Sequence, residues 1–461
     1  MSRALLLTLA LVAGTTPLWA AQQPDSAREM AQQERAYRDA ISGMESDQGA
    51  YGGGLSEQIL SLGQVLQNQG RHEEALTLFK RGVHLARIND GLYSSQQIPL
   101  LQGQIASHIA QGQYSLADER QHYLYRVQIR SPDGSAMRTD ALMQQAQWQY
   151  NAYHMGLGGA GFIRLMSMWD LYRLALNDII TREGDSSPDL LPPLQGMLQA
   201  QYLIAAYQPE EGYSGSDDLG ARQQLHRFNA YRAQSYDKGS AVIRAIYDIE
   251  QKQVLAQTAA QQESQEQEQE QEQLALTEAT GQAEPELEPE PESESESESE
   301  SESESESESE SESAAESATE QKSHSLATAR ALMMLGDWRL WHEEREQAGQ
   351  AYREAMAELV GQDDAQIQME QMFAEPVALP NLDGLRPLPA AVEPAQDNIL
   401  LEFGVTKKGR VIDLERMDVN EVNEAKANRL MRKLRKTKFR PRFEGGEPVD
   451  TAKVVRAYGI E

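Results

Sequence analysis

Apolar residues recur at helical spacing through residues 26–255, as at Ile59, Leu62 and Leu66, and runs of β-branched residues are rare. Gly70, Gly112 and the pair Asp90-Gly91 punctuate the pattern and predict turns between helices. The periodicity then lapses. Residues 261–273 are almost wholly Gln and Glu, a Glu-Pro tract follows, and Glu alternates with Ser from Glu292 to Ser313. With no apolar face to bury and strong self-repulsion, residues 256–322 are expected to be disordered and extended. Helical spacing returns over 323–360. The Pro-rich stretch within 361–395, EPVALPNLDGLRPLPAAVEPAQ, is expected to be a semi-stiff tether. From residue 396 the period changes to two. ILLEFGV puts Leu401, Phe403 and Val405 on one face, TKKGR makes a turn, and VIDLERM forms the second strand of a hairpin. Asn420 caps a predicted helix over 421–436, whose Ala427, Leu430, Met431 and Leu434 form an apolar stripe. After Phe439 and a Gly445-Gly446 turn, TAKVVRAYGI reads as the last strand, giving a small ββαβ unit.

The helical region carries an internal repeat. Superposing Gly70 on Gly112 places Ala75 over Ala117, a step of 42 residues. In the first copy, ILSLGQVLQNQGRHEEALTLFKRGV, small Gly63 lets two helices approach, Gly70 turns the chain, Ala75 is the small contact on the second helix and Phe79 fills the groove. The second copy has Ile105 and His108 where the repeat favours Gly and Tyr. These residues resemble the tetratricopeptide repeat, in the longer form that kinesin light chains use. After the acidic tract, Leu335, Gly336, Ala348, Tyr352 and Ala355 repeat the spacings of Leu62, Gly63, Ala75, Phe79 and Gly82. One such hairpin cannot bury its own apolar face, so residues 323–360 are expected to stack back on the earlier helices, with the acidic tract as an insertion. Closing a loop of about 65 residues costs little more than closing a short one. The expected fold is therefore multidomain: an α-helical solenoid with an acidic insertion, then a small α+β domain.

Charge sharpens this picture. The formal net charge is −30, carried largely by the acidic tract, while the C-terminal unit is basic. The tract is read either as a solubilising spacer or as an electrostatic cover for that basic unit. The first residues, MSRALLLTLALVAGTTPLWAAQQ, have the form of a signal peptide over 1–20, with Arg3, an apolar run from Ala4 to Ala13, Pro17, and small Ala20 and Ala21. The apolar run falls short of the ~20 residues that span a bilayer. Cysteine is absent, which excludes disulfides, Cys-based zinc sites and a Cys nucleophile.

LEFGVTKKGRVIDLERM and KFRPRFEGGEPVD, with an aromatic residue two before a proline (Phe439, Pro441) and then a Gly-containing turn, resemble the C-terminal domain of TonB energy transducers over residues 396–461. The chain departs from that family in lacking a Tyr-Pro pair before the first strand, the Pro-rich spacer, and an uncleaved transmembrane anchor. The resemblance implies binding rather than active energy transduction. It implies that the last strand, from Val449 to Gly459, offers an edge to which an extended segment of a partner adds. Val449, Thr451, Lys453, Val455 and Ala457 are the candidate contacts along that edge. Arg432 and Arg435 on the helix, and Arg440 and Arg442 after it, are the basic candidates that attract an acidic or carboxylate-bearing partner. A solvated basic face is the competing reading of these charges.

Other motifs carry little. GLGGAG, from Gly156 to Gly161, has the G-x-G-x-x-G spacing but follows a helical pattern, so an interhelix loop is expected. Histidines are scattered without ligand spacing, and no constellation of nucleophile, base and orienter is present. The expectation is a non-enzymatic, exported, periplasmic adaptor with protein partners: TonB-dependent outer-membrane receptors, or an inner-membrane energy-coupling complex. No cofactor, nucleic acid or small-molecule substrate is expected. The alternative is an envelope scaffold whose C-terminal module binds peptidoglycan or a secretion component.

Overall fold

The computed structural model describes residues 23–132, 134–158, 160–209, 219–280, 326–360, 364–395, 398–418 and 424–459. The expected signal peptide lies outside them. The chain is mostly helical, with a small antiparallel sheet region near its C-terminus, and divides into two compact units, Met1–Gly159 and Ala160–Glu461. That division falls inside the stretch 26–255 expected to form one domain.

The first unit holds α1 (Gln23–Gln48), α2 (Leu55–Asn68), α3 (His72–Asn89), α4 (Gln97–Ala110), α5 (Tyr114–Arg130) and α6 (Gly134–His154), each packed on the next. Its core includes Ile59, Leu62, Leu66, Phe79, Leu101 and Val127. The turns of the α2–α3 and α4–α5 hairpins are alike. Gly70 and Gly112 take the left-handed conformation, at φ 75° and 71°. Behind them the Arg71 N–H donates to the Leu66 carbonyl and the Gln113 N–H to the His108 carbonyl, satisfying helix ends. A Cβ on Gly63 would lie 2.4 Å from the Phe79 ring, so only glycine lets these helices close.

The second unit begins with α7 (Gly161–Glu183), a short 3-10 turn (Pro188–Leu190), α8 (Leu191–Ala206), α9 (Leu219–Ala233) and α10 (Ser235–Thr280). The stretch GLGGAG thus follows a helix and leads into one. The length of α10 corrects part of the expected disorder. Its helix runs through the Gln/Glu-rich stretch to Thr280, because Gln, Glu and Ala are strong intrinsic helix formers even without an apolar face. The remainder of the acidic tract, 281–325, lies outside the described residues.

Next come α11 (residues 326–341), α12 (Arg345–Leu359) and α13 (Ala365–Phe373). The α11–α12 hairpin does pack on earlier helices, namely α8 and α10. Trp338 is fully buried, its Nε1 donates to the Tyr236 carbonyl at 3.1 Å, and its ring meets Tyr202 edge-on at 4.6 Å. Inside the hairpin, a Cβ on Gly336 would lie 2.4 Å from the Tyr352 ring, the same close approach as Gly63 to Phe79.

The C-terminal strands are β1 (Val377–Leu379), β2 (Ala391–Val392), β3 (Ile399–Val405), β4 (Val411–Arg416), β5 (Lys438–Arg440), β6 (Arg442–Glu444), β7 (Glu447–Val449) and β8 (Thr451–Tyr458), with α14 (Glu424–Lys436) between β4 and β5. The main sheet has the order β2-β8-β3-β4, all antiparallel. Ile399, Leu401, Phe403 and Val405 meet Ala427, Leu430, Leu434 and Phe439 in one core. The Pro-rich segment is not a free tether. It contributes β1, which pairs with β5, and β2, which pairs with the end of β8. Pro376 and Pro380 bracket β1 and keep it short, as proline does at strand ends.

Candidate functional site

Two surfaces of the C-terminal module bear on function, an edge and a dock. The edge belongs to β8. One side of this strand pairs with β3 from Ile399↔Tyr458 to Val405↔Thr451, with an irregularity at Gly404. On the other side β2 covers only Ala457 and Tyr458. Among the described residues, the edge from Thr451 to Arg456 has no strand beside it. Val455 is 48% exposed, and Lys453 is exposed with its ammonium 2.6 Å from the Glu402 carboxylate on β3. On α14, the side chains of Lys426, Arg429, Arg432, Lys433, Arg435 and Lys436 are exposed, while Ala427, Leu430 and Leu434 face the core. None of these six cations forms an ion pair among the described residues.

The sequence candidates therefore separate. Thr451, Lys453, Val455, Arg432 and Arg435 lie at or near accessible surface. Ala457 is buried beneath the β2 pairing. Val449 belongs to β7, not to the last strand. It pairs with Arg442 in a separate two-stranded hairpin around Gly445-Gly446, because the chain breaks at Asp450, whose carboxylate accepts the Lys407 N–H at 2.6 Å. Arg442 is half-buried and pairs with Glu444 in its own strand at 3.0 Å.

Arg440 requires a correction. Expected to face a partner, it is 2% exposed. Successive strand residues point to opposite faces. Phe439 enters the core of its own module, so Lys438 and Arg440 point the other way, at the α11–α12 hairpin. Arg440 Nη1 lies 2.8 Å from Asp337 Oδ2, with both side chains almost wholly buried. The Tyr352 hydroxyl donates to the other oxygen of Asp337 at 2.8 Å, and the guanidinium sits 5.7 Å from the Phe373 ring centre. Lys438 Nζ donates to the Trp341 carbonyl at 2.6 Å and lies 3.2 Å from Glu343. Beyond Pro441, Phe443 packs edge-on against Tyr352 and Phe373 at 5.1 and 5.4 Å. The basic, aromatic stretch KFRPRF is thus an internal dock between module and hairpin.

Burial governs the electrostatics of the dock. Desolvation raises the Asp337 carboxyl above its ordinary value, and the Arg440 charge and the Tyr352 hydrogen bond oppose that rise. Desolvation and the Asp337 charge push Tyr352 well up, which keeps its hydroxyl a donor. His342, at the hairpin turn, is pushed down to about 4 by burial and by Lys438. Sequence reasoning missed Asp337 altogether. Its signal was an acidic residue directly after Gly336, on a helix otherwise rich in buried apolar side chains.

Among the described residues, no helix is long and apolar enough to cross a membrane, and no group of three or more His, Asp or Glu side chains is placed to hold a metal ion. No family model and no curated protein matches the chain. Among solved structures it is similar to the crystal structure of BtubC (BKLC) from P. vanneervenii, at 14% identity, covering 59% of this chain and 98% of that one. The TM-score of 0.27 is too low for that likeness to carry an argument.

Proposed function

We propose that this protein is an exported, non-enzymatic adaptor of the periplasm of a double-membraned bacterium. In this reading its C-terminal module is TonB-like and binds an outer-membrane TonB-dependent receptor or another transport component. Its helical hairpins are tetratricopeptide-like and hold a second partner. The observation that carries the reading is the open edge of β8 from Thr451 to Arg456. An extended peptide segment adds there by main-chain hydrogen bonds, with Val455 and Lys453 offering alternate side-chain contacts. The cationic side of α14 supports it, since such a surface draws acidic segments over long range.

The module is docked on the α11–α12 hairpin, and β1 and β2 precede residue 396, so the bait for a test is the full mature chain. Capture from an envelope fraction should recover TonB-dependent receptors, and Val455→Asp, at an exposed position, should reduce that recovery. Hydrogen exchange should show new protection within 451–456 when the receptor is added. Recovery of cell-wall sacculi or secretion proteins instead, unaffected by Val455→Asp, would replace this reading with an envelope scaffold.

A further inference from the structure

Between the Pro-rich segment and the end of the last strand lies a cavity of about 140 Å³. Its apolar lining includes Leu388 and Pro389, and its polar lining is Asn381, Arg386, Arg456 and Tyr458. Proline lacks an N–H, so the side chains supply most of the donors here. Arg386 is exposed and has no ion-pair partner among the described residues. Arg456 is fixed from one side, its Nη2 lying 3.0 Å from the Pro376 carbonyl and 3.3 Å from the Glu375 carboxylate. A guanidinium has five N–H donors, and the others on Arg456 make no hydrogen bond among the described residues. Tyr458 is 1% exposed, and its hydroxyl, without a hydrogen-bond partner among the described residues, is closed off from the cavity's interior. The lining holds two cationic side chains and no carboxylate, so the free donors of Arg386 and Arg456 are what the cavity offers a guest. Burial raises the Tyr458 phenol and so keeps it protonated, while the Arg456 charge acts in the opposite direction.

We propose that this cavity binds a small oxyanion, a carboxylate or a phosphate group, clasped by Arg386 and Arg456. The chemistry matches: two guanidiniums present forked donors suited to paired oxygens. The size also matches, since a water molecule takes about 30 Å³ of liquid volume and the cavity holds a group several times larger. Ordered water is the competing occupant. The proposal stands apart from strand addition at β8 and survives or fails on its own.

The test is calorimetric titration of the full chain with inorganic phosphate and, separately, with acetate, at constant ionic strength set by chloride. Saturable one-to-one binding of either anion is expected, and the tighter of the two identifies the group recognised. Arg386→Ala, at an exposed position, should weaken binding about tenfold, the size of one charge-assisted contact. Arg456→Lys keeps the charge but loses the forked donors and should weaken binding several-fold. Arg432→Ala, on the cationic face of α14, should leave it unchanged. Absence of saturable heat with both anions would overturn the proposal and leave the cavity to water. Equal binding by wild type, Arg386→Ala and Arg456→Lys, or loss of binding in Arg432→Ala, would overturn it too.

Discussion

The α2–α3 and α11–α12 hairpins follow the same packing rule and use it differently. In both, a glycine lies under an aromatic ring, Gly63 under Phe79 and Gly336 under Tyr352, with the added-Cβ distance 2.4 Å in each. In both, a left-handed residue turns the chain, Gly70 at φ 75° and Glu343 at φ 72°. The difference lies one residue past the glycine. Gln64 is exposed, whereas Asp337 is 4% exposed beneath the C-terminal module. The second aromatic differs to suit: Phe79 has only a ring, while Tyr352 has a hydroxyl that reaches Asp337. Two side-chain changes on a shared frame convert a helix pair whose corresponding position faces solvent into a receptor for a charged strand.

The largest test of that comparison is Asp337→Ala. It leaves Arg440 buried without its counter-charge and should destabilise the second unit by about 3–5 kcal/mol, whereas Gln64→Ala should change stability by under about 0.5 kcal/mol. Denaturant unfolding followed by the fluorescence of Trp338 and Trp341 measures the first. The double variant Asp337→Leu with Arg440→Leu should recover much of the loss, because replacing a buried ion pair by apolar residues is often close to neutral. A recovery of nothing would show that the pair holds the dock by more than charge.

Next in size are Gly63→Ala and Gly336→Ala. Each methyl must displace an aromatic ring in a packed core, and each should cost about 1–3 kcal/mol. Similar losses in the two hairpins would support the common frame, and a large inequality would break it.

Acidification separates the hairpins again. His342 sits where the first hairpin has Gln69. Its folded value, about 4, lies below its ordinary 6.5, so the unfolded chain binds more protons between these values. Stability contributed by neutral His342 is full above pH 6.5 and is lost as pH falls toward 4. The partly exposed ring limits the loss to about 1–2 kcal/mol. Thermal melts of wild type and His342→Gln across that window should differ in slope, and parallel curves would remove His342 from the account.

The smallest effect is expected at the turns. Glu343→Gly relieves a left-handed non-glycine residue and should stabilise by about 0.5–1 kcal/mol despite losing a surface contact to Lys438, while Gly70→Ala should destabilise by about 1 kcal/mol. Opposite signs in denaturant midpoints check the pair.

Local features were legible in the sequence. The spacing of Gly63, Gly70, Ala75 and Phe79 and its return at Gly336, Ala348 and Tyr352 identified the hairpins, because helix contacts at close range demand particular side-chain sizes. The strands at 399–405, 411–416 and 451–458 were readable from alternation. Three features were not. Residues 261–273 read as disordered because they lack an apolar face, yet intrinsic propensity continues the helix there. Val377–Leu379 and Ala391–Val392 are too short for a period to show among prolines. The Asp337–Arg440 contact joins residues 103 apart, and a long-range pair leaves no local period. The surface candidates had another source: Lys453 and Val455 came from the edge that the family resemblance implies, whereas Arg440 was misplaced for want of its partner.

The pairing of β2 with Ala457 and Tyr458 gives the open edge of β8 a stop. At roughly 3.3 Å per residue, the free run from Thr451 to Arg456 is about 20 Å long. A guest strand that travels toward the C-terminal end of β8 meets the backbone of Ala391 and Val392 and can go no further. Under the strand addition proposed above, the edge would be a slot closed at one end, and guests would be sorted by how many extended residues they lay down before a bend as well as by their side chains.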